Sequence, residues 1–132
     1  MNKTFKVAIS ESHIGMRECL THILSKWGYQ IILIVSNGQE LINEISLDRP
    51  PDICILDINW PSLIELETCK ILKEQWPVIQ IVVFTMNVIP SLIQKLNGIA
   101  DAVISKADGI LEIKVVLEQL KISKVDVSSA KV

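Results

Sequence analysis

The most informative segment is "ICILDINWP" at residues 53–61, in which four consecutive apolar residues run directly into a carboxylate. Ile53 and Ile55 are β-branched, Asp57 ends the run, and Pro61 marks a turn. A short, continuous apolar run indicates a strand that is covered on both faces, as in a parallel sheet. A strand of this kind that ends on an aspartate predicts a functional site at its carboxyl end.

The same kind of run recurs along the chain, and helical periodicity separates the runs. The five β-rich segments are KVAIS 6–10, IILIV 31–35, DICILD 52–57, IQIVVFT 79–85 and AVISK 102–106. The apolar helical stripes are Met16, Cys19, Leu20, Ile23, Leu24 and Trp27; Leu41, Ile42 and Ile45; Cys69, Leu72 and Trp76; Leu92, Ile93 and Leu96; and Ile113, Val116, Leu117 and Leu120.

Strict alternation of strands and helices predicts an α/β fold with a doubly wound, five-stranded parallel sheet. Because crossovers between parallel strands are right-handed, few arrangements remain, and we expect the flavodoxin-like strand order 2-1-3-4-5.

Residues that commonly begin or end helices agree with these segments. Ser62 and Glu65 fit a capping box at the start of the third helix. Pro90 suits the first turn of the fourth helix, and Gly98 suits its C-terminal end. Asp108 is expected to be the N-cap of the fifth helix.

Composition excludes several classes of protein. The 132 residues are 49% hydrophobic and 21% charged, which predicts one core-rich domain. The net charge of −2 argues against direct DNA binding by this segment. The longest purely apolar runs are about five residues, whereas a membrane span needs roughly 20, and the N-terminus lacks a signal-peptide layout. The 3 cysteines are unclustered, so we expect reduced core thiols in a cytoplasmic protein rather than a zinc or disulfide site.

Polar side chains follow four of the predicted strands. Glu11 and Ser12 come after the first strand, Asp57 ends the third, Thr85 ends the fourth and Lys106 ends the fifth. Because the carboxyl ends of parallel strands lie along one edge of a sheet, we expect these side chains to meet there.

These residue types are suited to phosphoryl chemistry. Asp57 is a candidate nucleophile that forms an acyl phosphate, and Lys106 supplies a positive charge for the incoming phosphoryl oxygens. Thr85 offers a hydroxyl donor. The backbone carbonyl of Asn59 could join the carboxylates in holding a divalent cation such as Mg²⁺.

The chain resembles the receiver domains of bacterial two-component response regulators over residues 5–121. The resemblance is carried by "AISESHIGMRECL" at 8–20, "PDICILDINWP" at 51–61, "VVFT" at 82–85 and "GIADAVISKAD" at 98–108. It implies a signalling module rather than an enzyme, in which an aspartate on the third strand accepts a phosphoryl group from a sensor histidine kinase.

By this match, Asp57 is the phosphoacceptor, and Thr85 and Lys106 bind the phosphoryl group and relay its presence. The acidic pair of the family, which holds Mg²⁺, falls on Glu11 and Ser12. By the same resemblance, we expect the face formed by helix four, strand five and helix five to shift on phosphorylation. The same face is expected to form a homodimer.

The segment "SHIGMRECL", with Arg17 and Glu18, is similar to receivers that precede a LuxR-type helix-turn-helix domain. The expected division is a receiver at residues 1–121 and a tail at 122–132, which is similar to a connector to such an output domain. The given sequence includes no recognition helix after the tail, so we expect either an excised receiver or a receiver that works without a DNA-binding half.

Three departures from the family pattern bear on function. Ser12 supplies a neutral oxygen where the family has a second carboxylate, so Glu11, Asp57 and Lys106 sum to −1 and we expect weak Mg²⁺ binding and slow phosphorylation. Val103 replaces the aromatic residue that moves with the threonine, and Glu65 replaces a loop glycine and adds a carboxylate near the site. The alternative is therefore a degenerate receiver that works as a phosphorylation-independent interaction or dimerisation module.

Other interpretations stay open for single residues. Asp57 could be a loop or capping carboxylate, and Ser12 could be the N-cap of the first helix as readily as a metal ligand. Trp60 is interpreted as partial cover of the loop after Asp57 and as an interaction surface. Ile89, Leu92 and Ile93 mark either a partner face on helix four or core packing.

A phosphohydrolase with an aspartate nucleophile is a poor fit, because such enzymes carry an aspartate pair on the first strand. A dinucleotide-binding protein is also a poor fit, since the glycines are too scattered for a phosphate-binding loop.

Overall fold

In the part of the chain that the structure describes, five parallel strands form one sheet in the order 2-1-3-4-5, as the sequence predicts. The structure is a computed structural model that describes residues 4–46, 49–59, 63–86 and 88–130, with side chains described to residue 123. The elements are β1 (Lys6–Ser10), α1 (Ile14–Lys26), β2 (Gln30–Val35), α2 (Gly38–Glu44), β3 (Ile53–Leu56), α3 (Ile64–Gln75), β4 (Gln80–Thr85), α4 (Pro90–Leu96), β5 (Ala102–Ser105), a 3-10 turn (Lys106–Asp108) and α5 (Ile110–Ala130).

Two apolar cores cover the two faces of the sheet. Helices α2, α3 and α4 pack on one face and α1 and α5 on the other. Alternate residues of β3 point to opposite faces: Cys54 and Leu56 join the first core, and Ile53 and Ile55 join the second. This two-sided burial is the reason that the strands read as continuous apolar runs rather than as alternating patterns.

The first helical stripe is buried less deeply than the sequence predicts. Within α1 only Leu20 and Leu24 are fully buried, whereas Cys19 is exposed. The expectation of three core thiols is therefore wrong for Cys19 and holds for Cys54 and Cys69. Neighbouring positions on a helix are turned by about 100° from each other, so Leu20 faces the sheet while Cys19 faces solvent.

Two of the predicted helix boundaries are confirmed. Pro90 is the first residue of α4, and Gly98 follows its end with a φ of +80°. The left-handed backbone that ends the helix is available to glycine at low cost, which explains the residue at that position.

Two predicted caps turn out differently, and a third is not covered by the described residues. Asp108 is not the N-cap of α5, because it lies in the 3-10 turn and Gly109, with φ +87°, separates it from Ile110. Ser12 is not the cap of α1 either: His13 takes that place, and its Nδ1 accepts the N–H of Met16 at 3.4 Å. Ser62 of the predicted capping box lies outside the described residues, as does Trp60.

Helix α5 extends from Ile110 to Ala130, so the boundary expected after residue 121 falls inside a continuous helix. The division into receiver and connector stays a prediction. Among the described residues, none of the helices has both the length and the apolar character that a membrane span requires.

Candidate functional site

The register of the sheet brings the ends of β1 and β3 together. Ser10 pairs with Leu56, and the backbone N–H of Asp57 donates to the carbonyl of Ser10 at 3.1 Å. The next residue of the first segment, Glu11, donates its own N–H to the carbonyl of Val35 at 3.1 Å. Glu11 and Asp57 therefore leave neighbouring strands at the same edge of the sheet.

Lys106 joins the two carboxylates. Its Nζ lies 2.9 Å from Oε1 of Glu11 and 3.0 Å from Oδ2 of Asp57. The side chains of Lys106, Glu11 and Asp57 are 9%, 2% and 19% exposed, so the cluster is shielded and only Asp57 has appreciable access to solvent.

Local structure fixes the position of the lysine. The sequence predicts that Lys106 ends the fifth strand, but β5 stops at Ser105 and Lys106 begins the 3-10 turn. The hydroxyl of Ser105 accepts the N–H of Ala107 at 3.1 Å and so caps this turn. The Nζ of Lys106 also lies 5.9 Å from the centre of the Phe84 ring, where a cation is favoured.

Burial and charge act in opposite directions in this cluster. Burial raises the pKa of Glu11 above its ordinary value of 4.5, and the hydrogen bond from Lys106 only partly offsets that effect. For Lys106, burial lowers the pKa, but the hydrogen bonds to Glu11 and Asp57 outweigh it and the net pKa is raised. One cation thus balances two carboxylates that repel each other.

Thr85 lies at the same edge and is buried. Its hydroxyl donates to the carbonyl of Ile58 at 2.6 Å, one residue beyond Asp57. The structure therefore places the threonine hydroxyl on the loop that follows β3, as a partner of the main chain.

The remaining predicted residues surround the site less closely. Ser12 and Asn59 are exposed, and Val103 is half-buried against the core formed by α2, α3 and α4. Glu65 lies in the first turn of α3 and is half-buried. After burial, the charge of Glu65 is the second cause that raises the pKa of Cys69, to about 12, so this carboxylate acts on the core thiol.

Comparison with known proteins identifies the family. A family model for the response regulator receiver domain matches residues 7–126. The chain belongs to this family. Its members are modules of two-component signalling systems that sensor histidine kinases phosphorylate.

Two solved receiver structures share the fold. A DNA-binding response regulator of the LuxR family from Staphylococcus aureus superposes with a TM-score of 0.77 at 21% identity, covering 87% of this chain and 97% of that one. TrrA from Thermotoga maritima, in complex with Mg(2+)-BeF, gives 0.76 at 22% identity, covering 89% and 99%. At these identities the likeness concerns the fold.

Among curated relatives, the nitrate/nitrite response regulator protein homolog of Haemophilus influenzae is 29% identical over 126 residues, which is 92% of this chain. The chain spans 57% of that protein's length, and 20% and 30% of two further curated relatives. The similarity therefore covers the receiver portion of longer proteins.

The donor set of this receiver fits a magnesium ion. Mg²⁺ is usually held by one or two carboxylates together with water and phosphate oxygens, and Glu11 and Asp57 supply two carboxylates at one edge. The described residues contain no group of three or more acidic, histidine or cysteine side chains in metal-binding arrangement. Both carboxylate oxygens of Glu11 already accept hydrogen bonds, Oε1 from Lys106 and Oε2 from the N–H of His13 at 3.1 Å.

Sequence reasoning did not assign a role at the site to several groups that hold Glu11. Arg17 donates from Nη1 to the carbonyl of Glu11 at 2.9 Å, and main-chain groups of His13 and Val35 complete the set. Every residue has a main-chain carbonyl, so residue types do not show which main-chain groups will bind Glu11. The only available signal was Arg17 itself, a long cation six positions after the acidic residue.

Proposed function

We propose that this receiver accepts a phosphoryl group on Asp57 from a phosphohistidine of a sensor histidine kinase. The observation that carries the proposal is the position of Lys106, whose Nζ lies 3.0 Å from the carboxylate of Asp57 while that carboxylate stays 19% exposed. A carboxylate with solvent access on one side and a fixed cation on the other is suited to attack an anionic phosphoryl group.

The transfer is a displacement at phosphorus. A carboxylate oxygen of Asp57 forms the new O–P bond, the P–N bond to the kinase imidazole breaks, and the released nitrogen takes up a proton. Lys106 offsets the charge that builds up on the phosphoryl oxygens, which is the main requirement of such a transition state. The product is an aspartyl phosphate.

Glu11 and Asp57, with the carbonyl of Asn59, would hold Mg²⁺, which supplies further positive charge to the phosphoryl oxygens. The exposed Ser12 contributes no charge to this set. A receiver with one carboxylate of the pair is expected to bind Mg²⁺ weakly and to be phosphorylated slowly.

Thr85 is the candidate relay to the rest of the domain. Its hydroxyl has a strong main-chain partner in the carbonyl of Ile58, and a phosphoryl oxygen on Asp57 would compete for the same donor. Exchange between the two acceptors gives two arrangements of the loop, and phosphorylation would bias their populations.

The output that we propose is control of a LuxR-type transcription domain by a cytoplasmic receiver that does not itself bind DNA. Exposed apolar side chains on α4 and α5 support a homodimer through the face of α4, β5 and α5, since Ile93 is 48% exposed and Leu111 is 74% exposed.

A degenerate receiver is the second candidate. It is favoured by the exposure of Ser12 and by Val103, which packs partly into a core where the family pattern has a mobile aromatic residue. In that case Lys106 acts as a permanent counter-ion for Glu11 and Asp57, and the fold serves as a constitutive interaction module.

Intact-mass measurement separates the two candidates. The protein is incubated with acetyl phosphate and MgCl₂, and the proposal expects the gain of one phosphoryl group that hydroxylamine removes. Asp57→Asn should abolish the gain, whereas Asp108→Asn, which neutralises an exposed carboxylate in the adjacent turn, should keep it. A folded wild-type protein that gains no mass under saturating donor and MgCl₂ contradicts phosphoacceptance and supports the degenerate receiver.

A further inference from the structure

The loop between β1 and α1 carries its metal-binding chemistry on a single side chain. It consists of residues 11–13, and with Ser12 exposed, Glu11 is the one carboxylate that this loop directs into the site. The loss of the second acidic residue makes the placement of Glu11 decisive. A carboxylate that is 2% exposed cannot rely on water to tolerate a shift in position.

Arg17 contacts both ends of this loop, but only one of the two contacts depends on its side chain. Its guanidinium Nη1 donates to the carbonyl of Glu11 at 2.9 Å, and its main-chain N–H donates to the carbonyl of His13 at 2.9 Å. The main-chain contact is the ordinary first hydrogen bond of α1, which any residue other than proline would make at this position, so the side chain of Arg17 acts on the loop through Glu11. Hydrogen bonds from a charged donor are the stronger class, so the guanidinium contact constrains the Glu11 main chain.

The positive charge of the guanidinium also acts on a carboxylate at the start of α2, without an ion pair among the described contacts. Hydrogen bonds from Ser36, and to a smaller extent the positive charge of Arg17, lower the pKa of Glu40. Glu40 lies in the first turn of α2 and accepts from the N–H of Ser36 at 3.2 Å. The hydrogen bond to the carbonyl of Glu11 is therefore the one described side-chain contact that fixes the position of the guanidinium.

We infer that Arg17 is a positioning residue for Glu11: it fixes the main chain of the loop so that the carboxylate reaches Lys106 and the Mg²⁺ site. The inference rests on the proposed function, because the proposed phosphoacceptor role is what requires Glu11 beside Lys106 and the Mg²⁺ site. Arg17 itself touches neither Asp57 nor Lys106 among the described contacts, and acts through the carbonyl that it binds.

The test compares Arg17→Met and Arg17→Lys with Lys26→Met, which removes the same charge from the exposed last turn of α1. Amide hydrogen exchange is measured on the full metal-free chain. Arg17→Met should speed exchange at the amides of Glu11 and His13 by about tenfold, with Cys54 in β3 unchanged, because the loop opens locally. Arg17→Lys should give exchange rates between those of Arg17→Met and the wild type, and Lys26→Met should exchange at the wild-type rate.

A MgCl₂ titration, followed by amide chemical shifts, gives the second readout. Arg17→Met should weaken Mg²⁺ binding about fivefold, and acetyl phosphate should modify it slowly at low MgCl₂ but at the wild-type rate at saturation. Wild-type exchange at Glu11 and His13 in Arg17→Met overturns the inference, and so does uniform faster exchange that includes Cys54. If the wild type gains no phosphoryl group while Arg17→Met still shows the local exchange and weaker Mg²⁺ binding, the proposed function fails and the positioning role stands.

Discussion

Lys106 and Glu11 form an ion pair in which the Nζ and Oε1 atoms are 2.9 Å apart and the carboxylate is almost completely buried. The same Nζ lies 3.0 Å from Asp57, so one cation serves two carboxylates. The cluster therefore carries a net charge of −1 before any phosphoryl group or metal arrives. This excess of negative charge lowers the free energy of unfolding and attracts cations.

Glu11→Gln should stabilise the metal-free protein by about 1 kcal/mol at pH 7, since it removes a buried charge and leaves Lys106 paired with Asp57. The folded-state pKa of Glu11 is raised above 4.5, so the folded protein holds the proton more tightly than the unfolded chain. Ionisation thus lowers stability as pH rises through the folded pKa, and the gain should shrink below pH 4.5. Urea unfolding at pH 4 and pH 7 measures the difference in the free energy of unfolding between Glu11→Gln and the wild type. The exposed Glu74→Gln serves as control, and a loss of stability in Glu11→Gln at pH 7 would contradict the prediction.

Lys106→Met should lower the free energy of unfolding by about 3 kcal/mol at pH 7, because Glu11 and Asp57 lose their shared cation. The pKa of Lys106 is raised above 10.5, so its contribution is complete below that pH and is lost as pH rises through the folded value. The difference between wild type and variant should therefore narrow at pH 11, and also at low pH where the carboxylates are protonated. Urea midpoints across this range measure it, with the exposed Lys95→Met as control. A difference that does not depend on pH would rule out the electrostatic explanation.

Gly38→Ala should destabilise the fold by about 2 kcal/mol, because a methyl group there would lie within 2.8 Å of Cγ2 of Thr68 and force α2 away from α3. Gly15→Ala is the matched control. Its nearest neighbour would be Cε1 of His13 at an ordinary 3.6 Å, so alanine in α1 should be neutral or stabilising by about 0.5 kcal/mol. Thermal unfolding of both variants decides the matter, and equal midpoints would show that Thr68 yields without cost.

Dimerisation through α4, β5 and α5 predicts that Ile93→Glu and Leu111→Glu prevent association of the phosphorylated protein, since each places a charge in an apolar contact. Sedimentation after treatment with acetyl phosphate and MgCl₂ measures the oligomeric state. Ile34→Glu is the control, because Ile34 is 46% exposed and lies on β2, the strand at the edge of the sheet opposite β5. A phosphorylated wild type that sediments as a monomer, or a dimer that survives both substitutions, would exclude this face.

Thiol labelling should find one reactive cysteine in the folded protein. Cys19 is exposed, Cys54 and Cys69 are buried, and the pKa of Cys69 is raised to about 12 by its burial and by Glu65. A thiol reagent at pH 8 should add one label to the native chain, none to Cys19→Ser and 3 to the chain in denaturant. Rapid labelling of Cys54 or Cys69 in native Cys19→Ser would mean that the cores open more easily than the burial of these thiols implies.

The elements, their order and the edge on which the site lies can be predicted from residue types alone. Apolar runs and helical stripes are local patterns, because burial acts on each residue according to the face that it presents. The strand boundaries agree to within about one residue. The rule that parallel strands share one carboxyl edge then placed Glu11, Asp57, Thr85 and Lys106 together, before any distance between them was known.

Which atoms pair depends on the packed fold and cannot be read from residue types. Lys106 and Asp57 are 49 residues apart, and the sharing of the lysine between Asp57 and Glu11 depends on side-chain lengths and on the 3-10 turn that follows β5. The hydroxyl of Thr85 donates a hydrogen bond to the carbonyl of Ile58, and the guanidinium of Arg17 donates one to the carbonyl of Glu11. Every main-chain group is chemically alike along the chain, so residue type gives no sign of which carbonyl a donor will reach. That choice belongs to the packed fold, where geometry to within a few tenths of an ångström separates a hydrogen bond from none.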